Sequence, residues 1–321
     1  MRIAFAGVAH SHPFADAANL VARGVTIAGV WDADDPSRRA GFAERFGAVV
    51  HGRLDDLLAT APDAVVVTVR TARAIEVALA CADAGVPAFF NKTVAACPAD
   101  LERWADLPPA LRFTSSVLRF APELAEFAAS LAGTGLRAIE VHAQHDIAGF
   151  LVGDRTWQDD PDGAGGTMIN IGLHAWEMID VLLPGGEAEI LSATRVRGAV
   201  ATSSEVLGSV HARIDDIPVS VMISGVAGAD RYAVLAWTDE GIRELVLPDD
   251  LNGLGYGATA DAIVRLVRDA AAPVGPLRTL AVYRNAIASA DAARGRRPLG
   301  RTPRGPMPAP DRGSAAEREA P

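Results

Sequence analysis

The chain has 321 residues, of which half are hydrophobic and 22% charged, and this composition excludes a disordered or fibrous protein. A formal net charge of −10 argues against a nucleic-acid or anionic-membrane partner, and no apolar run approaches the roughly 20 residues of a membrane span. Two cysteines are too few for a disulfide framework, and the N-terminal apolar run is too short for a signal-peptide core. We therefore expect a cytoplasmic globular protein.

Short β-rich runs alternate with helical patterns in the first third of the chain, which is typical of a parallel sheet with crossover helices. Strands are predicted at 3–6, 26–31, 48–50, 64–69, 88–90 and 113–117. Helices are predicted at 14–23, 36–46, 54–59, 74–84 and 99–107.

The remainder of the chain is richer in consecutive strands. After a helix at 122–131, strands are predicted at 136–145, 189–200, 204–214, 219–226 and 231–237, and helices at 169–183, 257–271 and 278–294. This pattern predicts an α/β domain with an open, mainly antiparallel sheet. From Pro298 the chain is rich in Pro, Gly, Arg and Ala, a composition typical of disorder. The predicted domains are therefore 1–118 and 119–297, followed by a tail at 298–321.

The turn after the first strand, residues 7–13, could hold a dinucleotide, because its backbone N–H groups and the following helix N-terminus suit a pyrophosphate. Its glycine pattern is incomplete, since Ala9 and His12 stand where further glycines belong. Asp32 follows at about the spacing of a carboxylate that accepts from ribose hydroxyls. It would repel a 2′-phosphate and favours NAD, whereas Arg38 keeps NADP open. An ordinary βα turn with a surface Asp is the alternative.

His10 and His12 form a His-x-His pair in this turn. No Cys or carboxylate cluster at ligand spacing accompanies the pair, so we predict that it lines the cofactor site and binds no metal.

Lys92 follows the predicted strand at 88–90 and so lies at the carboxyl edge of the sheet, where open parallel sheets bind ligands. It is the single Lys among 30 basic residues. Unlike Arg, a Lys can lose its proton when its surroundings lower its pKa, so a proton-transfer role would explain the exception. A solvated loop cation is the alternative.

Asn170 and His174 follow a glycine-rich stretch at 163–166. On a continuous helix, residues four apart project from one face. We therefore expect both side chains to face the same site.

These motifs together resemble the Gfo/Idh/MocA oxidoreductase family. Asn91-Lys92-Thr93 stands where the family typically has Glu-Lys-Pro, 165–174 resembles its Gly-Gly…Asp…Gly-x-His helix, and Arg119-Phe120-Ala121-Pro122 resembles its Arg-Phe-x-Pro segment. The resemblance implies a Rossmann NAD(P)-binding domain, then a substrate-binding and oligomerisation domain. It also implies hydride transfer between a nicotinamide and a hydroxyl-bearing carbon of a sugar, polyol or related cyclic compound.

Carried onto this sequence, the resemblance makes Lys92 and His174 the proton-handling residues. The predicted substrate-binding residues are Asn170, His12, Arg119 and Trp157. The predicted cofactor-binding residues are Gly7, Ala9, His10, Ser11, His12, Asp32, Arg38, Thr68, Val69, Arg70, Asn91 and Lys92. NAD is the expected cofactor, with NADP open, and a homodimer or homotetramer through the second-domain sheet is the expected assembly.

The sequence departs from the family pattern at several positions. Asn170 replaces an Asp, so its amide can orient a hydroxyl but cannot act as a base. Asn91 and Thr93 replace Glu and Pro, and Arg70 lies near the cofactor edge, where it could meet an anionic substrate, a phosphate or solvent. Two other functions therefore stay open. One is a non-catalytic NAD- or sugar-binding regulator, and the other is a lyase or glycosidase that recycles NAD.

Overall fold

The computed structural model describes residues 1–10, 12–198 and 202–296, which contain two six-stranded sheets. The first sheet is entirely parallel, with strand order β3-β2-β1-β4-β5-β6. Its strands are β1 (Arg2–Ala6), β2 (Thr26–Trp31), β3 (Val49–Val50), β4 (Ala64–Val67), β5 (Ala88–Asn91) and β6 (Arg112–Ser115). Its crossover helices are α1 (His12–Val21), α2 (Pro36–Phe46), α3 (Leu54–Leu58), α4 (Ala74–Asp83) and α5 (Pro98–Ala105). This is the doubly wound Rossmann arrangement.

Local signals set the bounds of α2. The Asp35 side chain accepts from the backbone N–H of Arg38, Pro36 occupies the first turn, and Gly47 ends the helix at a φ of 66°. These cap and turn preferences are available from sequence alone. The helix predicted at 36–46 therefore has the observed bounds. The strand predicted at 26–31 also has the observed bounds.

The second sheet is mixed, with strand order β12-β11-β7-β10-β9-β8. Only the β7–β10 pair is parallel, so the expected mainly antiparallel sheet is confirmed. Its strands are β7 (Leu136–Gln144), β8 (Glu189–Val196), β9 (Leu207–Ile214), β10 (Ile217–Ser224), β11 (Arg231–Thr238) and β12 (Gly241–Val246), the last of which was not predicted. The accompanying helices are α6 (Pro122–Ser130), α7 (Gly166–Asn170), α8 (Gly172–Leu182), α9 (Tyr256–Asp269) and α10 (Pro276–Arg294).

The helix predicted at 169–183 is two helices, α7 and α8, that meet at Ile171. Gly172 begins α8 where the chain passes close to the second sheet, since a Cβ there would lie 3.0 Å from Cδ1 of Ile223. Asn170 and His174 are therefore on consecutive helices. Of the other predicted elements, part of the strand at 189–200 and the tail at 298–321 lie outside the described residues.

The last two helices join the two sheets. On α9, Ala260, Ile263 and Leu266 are buried in the same apolar cluster as Ile3 and Phe5 of β1. The hydroxyl of Tyr283 on α10 accepts from the backbone N–H of Val94 and contacts Oγ1 of Thr114. The division of the chain after residue 118 stays a prediction, and these contacts show that the C-terminal helices pack against the first sheet as well. Within the described ranges, none of the helices has the length and apolar character that crossing a bilayer requires.

Candidate active site

A cavity of about 320 Å³ lies where the carboxyl edge of the first sheet faces the second half of the chain. Four of the seven histidines line it, together with both an ammonium and a guanidinium group. Among the predicted site residues, those on its wall are His10, His12, Lys92, Trp157, Asn170 and His174. The structure therefore brings residues from four separate stretches of sequence to one place.

The β1–α1 turn passes against the end of β4 at Gly7. Gly7 has a φ of +95°, and a Cβ there would lie 2.5 Å from the backbone nitrogen of Val69, so glycine is required. The hydroxyl of Thr68 donates to the carbonyl oxygen of Gly7, and the backbone N–H of Ala9 donates to that of Thr68 at 3.4 Å. These contacts fix the turn that was predicted to receive a pyrophosphate.

The carboxylate of Asp32 organises the same region. It is 3% exposed and accepts hydrogen bonds from the backbone N–H groups of Val8, Asp34 and Asp35 at 2.5–2.8 Å. The structure thus gives Asp32 a structural task, and its contact with a ribose remains a prediction.

The remaining predicted cofactor residues lie around this turn, although not on the cavity wall. Arg38 donates to the carbonyl oxygen of His10 at 2.7 Å, and Arg70 lies 3.7 Å from the carboxylate of Asp34. Ser11 is outside the described residues.

His10 and His12 are neutral at neutral pH. Burial, followed by the neighbouring charges, lowers the pKa of His10 well below its usual value and that of His12 to about 3. Both ring nitrogens of His10 are buried without a hydrogen-bond partner in the described part of the chain, whereas Nδ1 of His12 lies 3.3 Å from the hydroxyl of Tyr256. No group of three or more His, Cys, Asp or Glu side chains within the described ranges is arranged to hold a metal ion.

Lys92 reaches the cavity from the end of β5. Its Nζ donates a 2.6 Å hydrogen bond to the backbone carbonyl of Asn170, and the peptide bond that joins it to Thr93 is cis. Burial lowers the pKa of the Lys92 ammonium to about 8, while the charge of Glu177 opposes this shift and that of Arg155 adds to it. A pKa of about 8 lies close to neutral pH, the range that suits general acid–base catalysis.

His174 faces the same cavity from α8. It is 6% exposed, its Nδ1 has no hydrogen-bond partner among the described residues, and its ring lies 5.3 Å from that of Tyr232. Burial, together with the nearby charge of Lys92, lowers the pKa of His174 well below its usual value. The imidazole is consequently neutral and can donate or accept a hydrogen bond.

The side chain of Asn170 joins three segments of the chain. Its Nδ2 donates to the carbonyl oxygens of Gln158 and Ala164 at 3.0 and 3.1 Å, and its Oδ1 accepts from the hydroxyl of Thr93 at 3.3 Å. Both amide hydrogens are thus already used by the protein. The expected contact with a substrate hydroxyl stays a prediction. In the structure, the amide links the segments that form this part of the cavity wall.

Arg119 does not line the cavity. It is buried and forms an ion pair with Asp180, and its Nε lies 3.7 Å from the carboxylate of Glu177. The structure thus places Arg119 in a buried ion-pair network, and its contact with a substrate remains a prediction.

Asn91, which stands at the family's Glu position, donates through Nδ2 to the carboxylate of Asp16 at 2.7 Å. Burial raises the pKa of Asp16 to about 7, and the hydrogen bond from Asn91 opposes this shift. Oδ1 of Asp16 and Oδ1 of Asn91 are both buried without a partner in the described residues. Sequence reasoning missed Asp16, although a carboxylate on the apolar face of a predicted helix was a usable signal.

Three further titratable wall residues, His145, Asp230 and Arg155, had no assigned role from the sequence. Nδ1 of His145 lies 2.7 Å from the carboxylate of Asp230, and the guanidinium of Arg155 lies over the ring of Phe150. They come from the end of a strand and from two connections, so no local pattern could place them together.

Comparison with known proteins confirms the resemblance to the Gfo/Idh/MocA oxidoreductases. Residues 1–111 match the sequence profile of that family, described as an oxidoreductase family with an NAD-binding Rossmann fold. No curated protein sequence matches the chain.

Several solved structures share the fold over almost their whole length. GenD2 from gentamicin A biosynthesis, solved with NAD, is 20% identical with a TM-score of 0.81, over 92% of this chain and 95% of that one. The WlbA dehydrogenase from Chromobacterium violaceum, solved with NADH and UDP-GlcNAcA, is 18% identical with a TM-score of 0.78 over 94% and 97%. A myo-inositol dehydrogenase from Corynebacterium glutamicum is 16% identical with a TM-score of 0.76 over 92% and 97%. These TM-scores show a common fold.

Proposed function

We propose, from its resemblance to the Gfo/Idh/MocA oxidoreductases, that the protein is an NAD(P)-dependent dehydrogenase or reductase. Its substrate would be a sugar, polyol or related cyclic compound that carries the reacting hydroxyl. The observation that carries this proposal is the position of Lys92, a lysine with a pKa of about 8 on the wall of the cavity at the sheet's carboxyl edge. The solved structures named above include sugar and polyol dehydrogenases, which supports the substrate class.

The residues at this edge fit a dinucleotide. The turn at Gly7 admits no side chain, and His10 offers two buried nitrogens without partners in the described residues. We expect the turn to hold the pyrophosphate, Asp32 or Arg38 to face the adenosine ribose, and Val69 and Arg70 to flank the nicotinamide half. When bound, the nicotinamide supplies the group that accepts or gives the hydride.

Lys92 is the residue that we assign to the proton. A hydroxyl carbon can release its hydride only as the hydroxyl proton is lost, so a nearby acceptor lowers the barrier, typically by about 10²- to 10⁴-fold. In oxidation the neutral Lys92 amine takes that proton, and in reduction the ammonium returns it. The bond from Lys92 Nζ to the carbonyl of Asn170 fixes its direction.

His174 is expected to orient the reacting hydroxyl. Its pKa is depressed well below neutral, so it is a weaker proton acceptor than Lys92 yet a good hydrogen-bond partner. We assign it a hydrogen bond to the substrate, and general base or acid catalysis only in concert with Lys92.

The experiment that tests the function is a titration with NAD and NADP, followed by a sugar and polyol panel at saturating cofactor. We expect a change in reduced-nicotinamide absorbance with at least one compound, and its loss in Lys92→Met and His174→Ala. His211→Ala, on the outer face of the second sheet, is the matched control that should keep full activity.

The same assay separates the other functions. Cofactor binding without turnover of any compound would favour the regulator. Consumption of a compound with tightly bound NAD and no net redox change would favour the recycling lyase or glycosidase. Full activity in Lys92→Met would refute the assignment of Lys92.

The assembly and location are proposals as well. The second sheet exposes large apolar side chains at its β12 edge, with Ile242 64% and Val246 42% exposed. This exposure supports a homodimer or homotetramer through that sheet, which light scattering of the purified protein would test. A cytoplasmic location remains the expectation from composition.

A further inference from the structure

One part of the cavity wall presents hydrogen-bond donors without acceptors among the described residues. It belongs to the short 3₁₀ segment Gly153–Asp159, which carries Arg155 and Trp157. The indole Nε1 of Trp157 is buried without a hydrogen-bond partner in the described part of the chain. Arg155 donates through Nε to Oε1 of Gln158 at 2.9 Å, and its terminal Nη groups make no hydrogen bond to a described residue. A buried donor such as the Trp157 indole N–H normally has an acceptor, so its lack of one among the described residues points to a ligand.

The guanidinium of Arg155 is held in place before any ligand arrives. Its central carbon lies 5.0 Å from the ring centroid of Phe150, and Gln158 holds its Nε. Gly149 leaves room beside it, since a Cβ there would lie 3.3 Å from Nη1 of Arg155. A preorganised side chain loses little conformational entropy when it binds a ligand.

The charge on the wall is not balanced. Lys92 and Arg155 contribute two cations, while Asp230 is the one carboxylate on the described wall and already faces Nδ1 of His145 at 2.7 Å. No ion pair among the described residues includes Arg155, and burial together with the charge of Arg38 lowers its pKa. The guanidinium of Arg155 is thus a cation on the cavity wall without a carboxylate partner among the described residues.

We infer that Arg155 and Trp157 form a subsite for an oxyanion, a carboxylate or a phosphate, on a ligand bound in this cavity. The free Nη edge of a guanidinium matches two oxygens of such a group, and the indole N–H adds a third donor. The inference rests on the proposed function, because it takes the cavity as the chamber where substrate and cofactor meet. Two sources share this chemistry, namely an acidic group on the substrate and the pyrophosphate of the dinucleotide.

The test is isothermal titration of the full chain, which needs no turnover and so can fail independently of the proposed activity. One arm titrates NADH into the natural protein and into Arg155→Gln. The other arm saturates both proteins with NADH and titrates D-glucuronate, glucose 6-phosphate and, as the neutral counterpart, D-glucose.

For an acid on the substrate, we expect Arg155→Gln to weaken binding of at least one acidic probe roughly tenfold or more, without affecting NADH or glucose. For the pyrophosphate, the same loss should appear in the NADH arm. Either result supports the subsite and identifies its source. If Arg155→Gln weakens neither NADH nor an acidic probe by more than about threefold, or if its only loss is in glucose affinity, the inference is wrong.

Two variants separate anion recognition from packing. Arg155→Lys keeps the charge and the packing stem but loses the paired donors, so it should bind with intermediate affinity. Arg53→Gln removes an exposed arginine that pairs with Asp55 far from the cavity, and should bind as the natural chain does. A melting temperature unchanged in Arg155→Gln shows that any loss reflects the site and not unfolding.

Discussion

Lys92 and Asn170 meet across the cleft between the two halves of the chain, where Nζ of Lys92 donates to the backbone carbonyl of Asn170 at 2.6 Å. The lysine directly follows β5 of the first sheet and the asparagine ends α7. The Lys92 ammonium is thus held by a main-chain group, which no side-chain replacement at position 170 removes. A side-chain substitution at Asn170 should therefore leave the Lys92 hydrogen bond in place, so mutagenesis can test the two residues independently.

The rate of substrate oxidation should rise with pH, with its midpoint near the Lys92 pKa of about 8. The neutral amine accepts the proton, and it becomes abundant only above that pKa. A pH profile of kcat/KM at saturating cofactor measures this, because kcat/KM reports the pKa values of the enzyme before substrate binds. Lys92→Arg, which cannot titrate in this range, should have low turnover and no such midpoint.

Arg155→Gln supplies a second test of the same midpoint. The charge of Arg155 lowers the pKa of Lys92, so its removal should move the midpoint to higher pH. Arg53→Gln should leave the midpoint unchanged. A flat profile in the natural protein between about pH 7 and 9 would contradict the assignment of Lys92 as the base.

Asp16→Asn should stabilise the protein above neutral pH. The folded pKa of Asp16 is raised from 3.8 to about 7, so the folded state holds a proton that the unfolded state loses, and stability falls as pH rises between these values. The penalty at about pH 8 is on the order of 2 to 4 kcal/mol. An amide at position 16 escapes this penalty and can donate to the buried, unpartnered Oδ1 of Asn91.

Urea unfolding at about pH 5 and pH 8 measures the effect, and the gain should be larger at the higher pH. Asp83→Asn removes an exposed carboxylate and should keep the pH dependence of the natural chain. A gain of equal size at both pH values would show that packing, and not the titration of Asp16, is responsible.

Asn170→Ala should destabilise the fold by about 2 to 4 kcal/mol, because it leaves the carbonyls of Gln158 and Ala164 without their donor. Denaturant unfolding measures the change. Asn19→Ala, which removes one partly buried bond to the carbonyl of Ala15, should cost less than about 1 kcal/mol. An unchanged stability with a raised KM would instead indicate a substrate contact.

Arg119→Met should destabilise the fold by about 3 kcal/mol, because Glu177 loses the one cation paired with it among the described residues while Asp180 keeps only Arg278. Arg137→Met breaks a surface pair with Asp239 and should cost less than about 1 kcal/mol. Normal stability with lost activity in Arg119→Met would restore the substrate role expected from sequence.

Local signals explain which parts of the fold were predictable. Helix α2 was predicted with its observed bounds because Asp35, Pro36 and Gly47 mark its ends in the sequence itself. The break at Ile171 was not predicted, since it depends on how closely Gly172 approaches Ile223 of another element. Strand β12 was missed because it is an exposed edge strand without the buried pattern of its neighbours.

In the candidate site, too, local signals located some residues, whereas contacts between distant residues were not predictable. Lys92 was located from its place after a strand and from the composition of the chain, and His174 from its motif. The buried pairing of Arg119 was not visible, because its partners lie about 60 residues further along the chain.

By itself, the sequence determined the α/β fold with its parallel and mainly antiparallel sheets, and it proposed Lys92 and His174 as site residues, because strand and helix periods and short motifs are local properties. The tertiary structure decided which charges lie together, since pKa values depend on distances across the cleft. It placed Arg155 without a carboxylate partner among the described residues, lowered the pKa of Lys92 toward neutral, and committed Asn170 to the wall. These are consequences of burial and proximity, which no stretch of sequence contains.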